Sequence, residues 1–383
     1  MSPENLTEQE HYMRQALEIA ALARGRTSPN PLVGAVLVRD GRVVGQGWHR
    51  QAGTPHAEIH ALAQAGELAR NATMYVTLEP CSHHGRTGPC TDAVIAAGVR
   101  KVIVAMTDPN PQVSGQGIAR LRAAGIEVVE GVLAAEAARL NRVFTKWIAT
   151  GMPYGTLKWA MTLDGKIATQ QGHSRWITGP AARQRVHEFR DCHDAILAGI
   201  GTVLADNPEL TTRLPQGGKN PLRVIVDSRA RIPLTAKVVT DGLAPTLLAV
   251  GPEASPAKIK ELESYGVEVW PLSATADGLD LRQLFSRLGS RNITSVFVEG
   301  GANINGSCLK NNLIDTVHAF IASKLIGGTM APGPFGGQGC DRMDQALELE
   351  DLTQEWIGDD LLISGDVRQR EGRHVYRTCG RIG

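Results

Sequence analysis

At 383 residues the chain exceeds the usual size of one domain, and its length favours two or three, with two as the starting count. With 42% apolar and 21% charged residues it has the composition of an ordinary folded protein, which excludes extensive disorder, and a net charge of +1 gives no field to draw in a polyanion, so a small molecule is expected as partner and nucleic acid is not. Glu4, Glu8 and Glu10 stand where a signal peptide needs basic and then apolar residues, and no run approaches the roughly 18 apolar residues of a membrane span, so the expected compartment is the cytoplasm, with no membrane partner.

The elements alternate along the chain. Tyr12, Ala16, Leu17, Ile19 and Ala20 make a helical stripe between Thr7 and Arg24. Leu32 to Val38 and Val43 to Trp48 flank Asp40-Gly41, a two-residue hairpin signal. A helix is expected to begin near His56, followed by a strand over Met74 to Leu78, a helix over Cys90 to Ala97 and a strand over Val102 to Met106. Further on come a helix over Gly117 to Ala124, a strand over Ile126 to Val129 and one helix from Ala134 to Ile148. Thr150-Gly151-Met152-Pro153 then marks a break, which divides the chain into domains 1–150 and 151–383. The second half alternates again: a strand-like run around Asp164-Gly165, a helix over Arg183 to Arg190, and strands over Ala195 to Ala198, Leu222 to Val226, Thr246 to Val250, Val267 to Trp270 and Ser295 to Val298. Alternation of this kind predicts two α/β domains. Six cysteines (81, 90, 192, 308, 340 and 379) are widely spread and are expected to be reduced.

The chemistry concentrates at His56-Ala57-Glu58, Pro80-Cys81 and Cys90. One imidazole and two thiolates fill three corners of a tetrahedral zinc and leave the fourth for water, as in catalytic sites. Glu58, two residues from a ligand, can move protons between that water and a substrate nitrogen, and the set matches the known pattern of zinc nucleobase deaminases. It departs from that pattern in one respect: eight residues separate the cysteines instead of two. Both metal pieces fall at strand-to-helix junctions, where a helix N-terminus favours thiolate at Cys81 and Cys90. A closed structural zinc would need a fourth ligand, for which His83 or His84 could serve. His49 and His60 are expected at the surface or behind the ligands, although His49 could reach a substrate phosphate. Asn30, in Ser28-Pro29-Asn30-Pro31, is either part of a plain loop or an amide that reads a pyrimidine edge.

In the second half, Glu299-Gly300-Gly301 follows a strand and opens a helix, a turn that can present backbone amides to a pyrophosphate but is common without ligands. Gly199-Ile200-Gly201 has Leu204 where a third glycine would stand, so a standard dinucleotide fingerprint is not supported. Lys158 and Asp164-Gly165 read, on their own, as a solvated lysine and a turn.

Taken together, the motifs resemble the bifunctional deaminase-reductase family of riboflavin biosynthesis over nearly the whole chain. Ser28 to Val36, His56-Ala57-Glu58 and Thr77 to Cys90, long cysteine gap included, are similar to its deaminase half. Lys158 to Ile167, Asp206-Asn207-Pro208 and Val298 to Gly301 are similar to its reductase half. The resemblance implies a cytidine-deaminase-like α/β/α domain followed by a dihydrofolate-reductase-like α/β domain. It implies zinc on His56, Cys81 and Cys90, with Glu58 as the proton shuttle that removes the C2 amino group of 2,5-diamino-6-(5-phosphoribosylamino)pyrimidin-4-one. It further implies NADPH, which would reduce the ribosyl group of the deaminated product to ribityl with Lys158 at the sugar oxygen. NADP contacts carried over by motif are Ala160, Trp176, Thr202, Asp206, Ser228, Gly301, Ala302, Asn303, Ile304, Asn305, Gly306 and Ser307. Substrate contacts are Asn30 in the deaminase, and Ser174, Arg190, Leu210, Arg213 and Glu299 in the reductase. Rival readings are a nucleoside or nucleic-acid deaminase and a zinc-stabilised scaffold, and homo-oligomer formation is left open.

Overall fold

The computed structural model describes residues 7–83, 88–276 and 278–368. These fall into two compact units, one ending at Gly151 and the other starting at Met152.

The first unit opens with α1 (Glu8–Ala21), whose Thr7 and Glu10 form a capping box that satisfies the first free amides. The hairpin β1 (Gly34–Arg39) and β2 (Arg42–Trp48) follows, then α2 (Ala57–Ala65), β3 (Thr73–Val76), α3 (Cys90–Ala96), β4 (Lys101–Val104), α4 (Gln116–Ala123) and β5 (Glu127–Glu130). The sheet order is β2-β1-β3-β4-β5, with β1 antiparallel to both neighbours and β3, β4 and β5 parallel. Side chains alternate across it. Ala35, Leu37, Met74 and Val76 pack under α2, α3 and α4, whereas Val36, Val38 and Tyr75 face α1. Helix α2 sits unusually close to β2, because a Cβ at Gly45 would lie 2.2 Å from the Ala61 carbonyl oxygen and one at Gly47 would lie 2.6 Å from that of Ala57.

The single helix expected from Ala134 to Ile148 is two helices, α5 (Ala134–Leu140) and α6 (Arg142–Thr150). They part at Asn141, whose side chain accepts from the Leu32 amide (2.8 Å) and donates to the Leu32 carbonyl (2.9 Å). A helical stripe in sequence gives no sign of a break that serves a residue 109 positions away.

The second unit contains β6 (Tyr154–Thr162), α7 (Pro180–Cys192), β7 (Ala195–Gly199), α8 (Ile200–Asp206), β8 (Leu222–Val226), α9 (Lys237–Thr240), β9 (Thr246–Val250), α10 (Pro256–Ser264) and β10 (Glu268–Pro271). After a short pair, β11 (Ala274–Thr275) and β12 (Gly278–Leu279), come α11 (Leu281–Ser290), β13 (Ser295–Val298), α12 (Ala302–Lys310), β14 (Thr316–Ala322), β15 (Leu349–Ile357) and β16 (Asp360–Val367). The main sheet runs β10-β9-β8-β7-β13-β6-β14-β16-β15. It is parallel as far as β14, and β16 and β15 close it antiparallel. Helices α7 to α10 cover one face, and α11 and α12 cover the other. The sequence reading placed no strand beyond 298; β15 escapes it because its residues from Glu350 to Trp356 are all exposed and carry no alternating apolar pattern.

Candidate active sites

In the first unit, His56 is the N-cap of α2 and Cys90 is the first residue of α3, so two helix starts meet at Cys81 in the loop after β3. His56 Nδ1 lies 3.2 Å from Cys90 Sγ and 3.5 Å from Cys81 Sγ. Nitrogen and sulfur bound to one tetrahedral zinc at about 2.0 and 2.3 Å would stand about 3.5 Å apart, so the donors fit that ion in both chemistry and spacing. Among the described residues this is the one group of three or more His, Cys, Asp or Glu side chains that could hold a metal. His83 is described but does not join the group, and His84 lies outside the described residues.

A hydrogen bond from Cys90 pulls Cys81 down to about 4, and the same bond together with burial pushes Cys90 up. Glu58, 3% exposed, is raised to about 7 by burial and then by the Cys81 charge. A carboxyl poised there can both accept and release a proton near neutral pH.

A cavity of about 310 Å³ opens onto the cluster, lined by His56, Glu58, Cys81, Asn30 and His49 among others. His49 is buried, not at the surface: its Nε2 accepts from Asn30 Nδ2 (3.1 Å), its Nδ1 donates to the Pro55 carbonyl (3.3 Å), and burial lowers its pKa. Sequence reasoning missed Asp108, Asn110 and Val113, from the loop after β4, and Phe144, Trp147 and Ile148, from α6, all of which line the same cavity. The spacing of the last three was visible, but it reads equally well as ordinary core.

In the second unit a cavity of about 500 Å³ lies beyond the carboxyl ends of the parallel strands, where open α/β sheets bind ligands. It gathers Lys158, Ala160, Ser174, Trp176, Arg190, Thr202, Asp206, Leu210, Arg213, Glu299 and Asn305. Gly301 caps α12 nearby, and Ala302, Asn303, Ile304, Gly306 and Ser307 lie on that helix without lining the cavity. Ile304 packs into the core, and Ser228 is exposed beyond β8.

The centre of this cleft is an ion cluster. Arg190 Nε and its second guanidinium nitrogen donate to the two Glu299 oxygens at 2.6 and 3.0 Å, the third nitrogen donates to the Thr211 carbonyl at 3.0 Å, and Lys158 Nζ lies 3.5 Å from Glu299. Burial pushes Glu299 up, but the Arg190 and Lys158 charges outweigh it and hold the carboxyl at about 2. Lys158 is therefore no solvated lysine. At the rim, Arg183 stacks 4.4 Å over the exposed Trp176 ring, and Lys324 Nζ donates to the Trp176 and Ile177 carbonyls. Asp164 does more than turn the chain: it accepts from Thr162 Oγ1 (2.6 Å) and the Gly327 amide (2.7 Å), which hold it at about 2. Asn305 Oδ1 is buried in the cavity lining without a hydrogen-bond partner, an acceptor that a donor on a bound ligand would satisfy.

Residues 153–363 match the family model for the RibD C-terminal domain, and residues 6–106 match the cytidine and deoxycytidylate deaminase zinc-binding region. The riboflavin biosynthesis protein RibD of Bacillus amyloliquefaciens is 44% identical over 97% of this chain and 100% of its own length. The chain belongs to the RibD family. The RibD of Escherichia coli K12 is 42% identical over 92% of this chain and 98% of its own. Among solved structures, Acinetobacter baumannii RibD superposes with a TM-score of 0.86 at 39% identity, covering 94% of this chain and 99% of that one. A Thermotoga maritima diaminohydroxyphosphoribosylaminopyrimidine deaminase/5-amino-6-(5-phosphoribosylamino)uracil reductase gives 0.82 at 36%, with the same coverage. Membership makes this chain a bifunctional deaminase and reductase of riboflavin biosynthesis, with a zinc-binding region in one domain and a reductase fold, implying a nicotinamide cofactor, in the other. No helix among the described residues is long and apolar enough to cross a membrane.

Proposed function

We propose that domain 1–150 removes the C2 amino group of 2,5-diamino-6-(5-phosphoribosylamino)pyrimidin-4-one, and that domain 151–383 reduces the resulting 5-amino-6-(5-phosphoribosylamino)uracil to its ribityl form with NADPH. The observation that carries the reading is a buried Glu58 sharing one cavity with His56 and Cys81. His56, Cys81 and Cys90 hold the zinc, which when bound supplies a water activated near neutral pH. With zinc bound, Glu58 would carry one proton of that water to the ring nitrogen as the oxygen joins C2, and then the proton left on that oxygen to the amino group, which leaves as ammonia as the carbonyl forms. Asn30, steadied by His49, orients the pyrimidine edge.

NADPH, when bound in the reductase cleft, would supply the hydride. Glu299 fixes the Lys158 ammonium, which donates a proton at the sugar oxygen as the ring opens. Arg190 gives three of its five N–H donors to Glu299 and the Thr211 carbonyl, which holds Glu299 in place and leaves two donors for the substrate in the cavity it lines. Arg213, with Ser174 and Leu210, faces the phosphorylated substrate, while Trp176, Thr202, Asp206, Ser228 and the start of α12 receive NADP. Cysteines 81, 90, 192, 308 and 340 form no disulfides, which supports a cytoplasmic setting; Cys379 lies outside the described residues.

One coupled assay tests the whole reading. With the diaminopyrimidine substrate, ammonia should appear before NADPH is consumed. Ammonia release from cytidine in its place would favour a nucleoside deaminase, and no oxidation of NADPH or NADH would refute the reductase half.

A further inference from the structure

Glu79 stands two residues before the ligand Cys81 and is almost fully buried. Its Oε2 accepts from the amides of Asp108 (3.1 Å) and Gly115 (2.9 Å), and its Oε1 accepts from those of Gly117 (2.8 Å) and Ile118 (3.1 Å). Four donors saturate a carboxylate, which leaves Glu79 no lone pair for a metal or a substrate. All four belong to one stretch that leaves β4 and enters α4. Between the anchored ends, Asp108 Oδ1 accepts from the Asn110 amide (2.9 Å) and Asn110 Oδ1 from the Gln112 amide (3.1 Å), so the stretch is folded on itself as well as tied down. Asp108, Asn110 and Val113 line the cavity that holds Glu58. The first turn of α4 rests directly on the backbone beside the cluster, since a Cβ at Gly117 would lie 2.0 Å from the Pro80 carbonyl oxygen.

We propose that Glu79 is a positioning residue for the deaminase: it locks segment 108–118 to the strand end that carries Cys81, and so fixes the wall against which the aminopyrimidine ring is held relative to the metal. This rests on the deaminase reading above. Glutamine in its place keeps one accepting oxygen and turns an NH2 group toward two amides, so the segment loses half its anchorage. The role is selective in what it should change, because binding of the ring depends on the wall whereas the metal ligands sit on other backbone.

The test is Glu79→Gln in the full chain, read by ammonia release, zinc content and amide hydrogen exchange. KM for the diaminopyrimidine should rise on the order of tenfold, with one zinc per chain and NADPH oxidation unchanged, and the amides of Asp108, Gly115, Gly117 and Ile118 should exchange faster. Glu79→Asp, which keeps both oxygens, should recover part of the KM. If Glu79→Gln does not fold, Gly115→Ala strains the same anchor from the other side: Gly115 has φ +78 and open space around a Cβ, so a smaller rise in the same direction is expected. An unchanged KM, or loss of zinc with loss of turnover alone, overturns the proposal. Should the wild type release no ammonia, the deaminase reading fails, and exchange at the four amides still decides whether Glu79 is the clamp.

Discussion

Single side chains carry the strongest consequences here. Removing the Glu58 carboxyl takes away the proton carrier and none of the ligands, so Glu58→Ala should keep its zinc and lose deamination by about 10²- to 10⁴-fold, while NADPH oxidation on the deaminated substrate continues. Ammonia release and metal content on the same sample check it. Glu299 gives a pH prediction. Its carboxyl falls from the ordinary 4.5 to about 2 on folding, so between those limits the unfolded chain binds more protons than the fold. The stability it contributes is complete above about 4.5 and drains away as pH falls to about 2. His187 acts in a higher window. Burial first, then the Arg190 and Arg213 charges, hold it at about 4 against an ordinary 6.5, so its share is lost as pH falls from about 6.5 to about 4. Denaturant unfolding of the reductase unit at a series of pH values should therefore show stability falling in two acid steps, and Glu299→Gln should shrink the lower one to what Asp164 contributes. Arg190 and Lys158 were legible as residues with a purpose only through the family motifs; that one carboxylate holds both is a fact of three dimensions, because Glu299 lies 109 residues from Arg190.

Elements were legible where their pattern served their own packing. The hairpin around Asp40-Gly41 and the buried parallel strands follow from turn chemistry and apolar runs. The break at Asn141 does not, since its cause is the backbone of Leu32 across the unit. Asn141→Ala leaves an amide and a carbonyl of the half-buried Leu32 without these partners, at a cost of up to about 1–3 kcal/mol for each group. The loop bearing Asn30 and helix α6 should loosen together. Thermal unfolding of the deaminase unit should move down, and KM for the diaminopyrimidine should rise more than turnover falls. Strand β15 was illegible for a different reason: it lies at the sheet edge and exposes Glu350, Asp351 and Glu355, and charge along an edge guards against pairing with another chain at the expense of the alternation a reader looks for.

At the scale of the whole molecule, the two cavities are lined by separate residues, each set within its own compact unit, and on the proposed reading each serves one activity. Chelating the zinc should therefore abolish ammonia release and leave NADPH oxidation intact when the deaminated substrate is supplied directly. Loss of both activities would mean that the metal supports the second unit as well. The reductase cleft carries one further consequence. Its charges are of two kinds: the Lys158, Arg190 and Glu299 cluster lies inside the protein, whereas Arg213, Glu209 and Lys237 pair at the exposed rim. Dissolved ions screen exposed charges over about 10 Å at 0.1 M but hardly reach buried ones. Raising ionic strength from about 0.05 to about 0.5 M should then weaken capture of the phosphorylated substrate, seen as a rising KM, while turnover at saturation stays level. Under the proposed roles, salt would thus separate the charges that catch the substrate from those that position the proton.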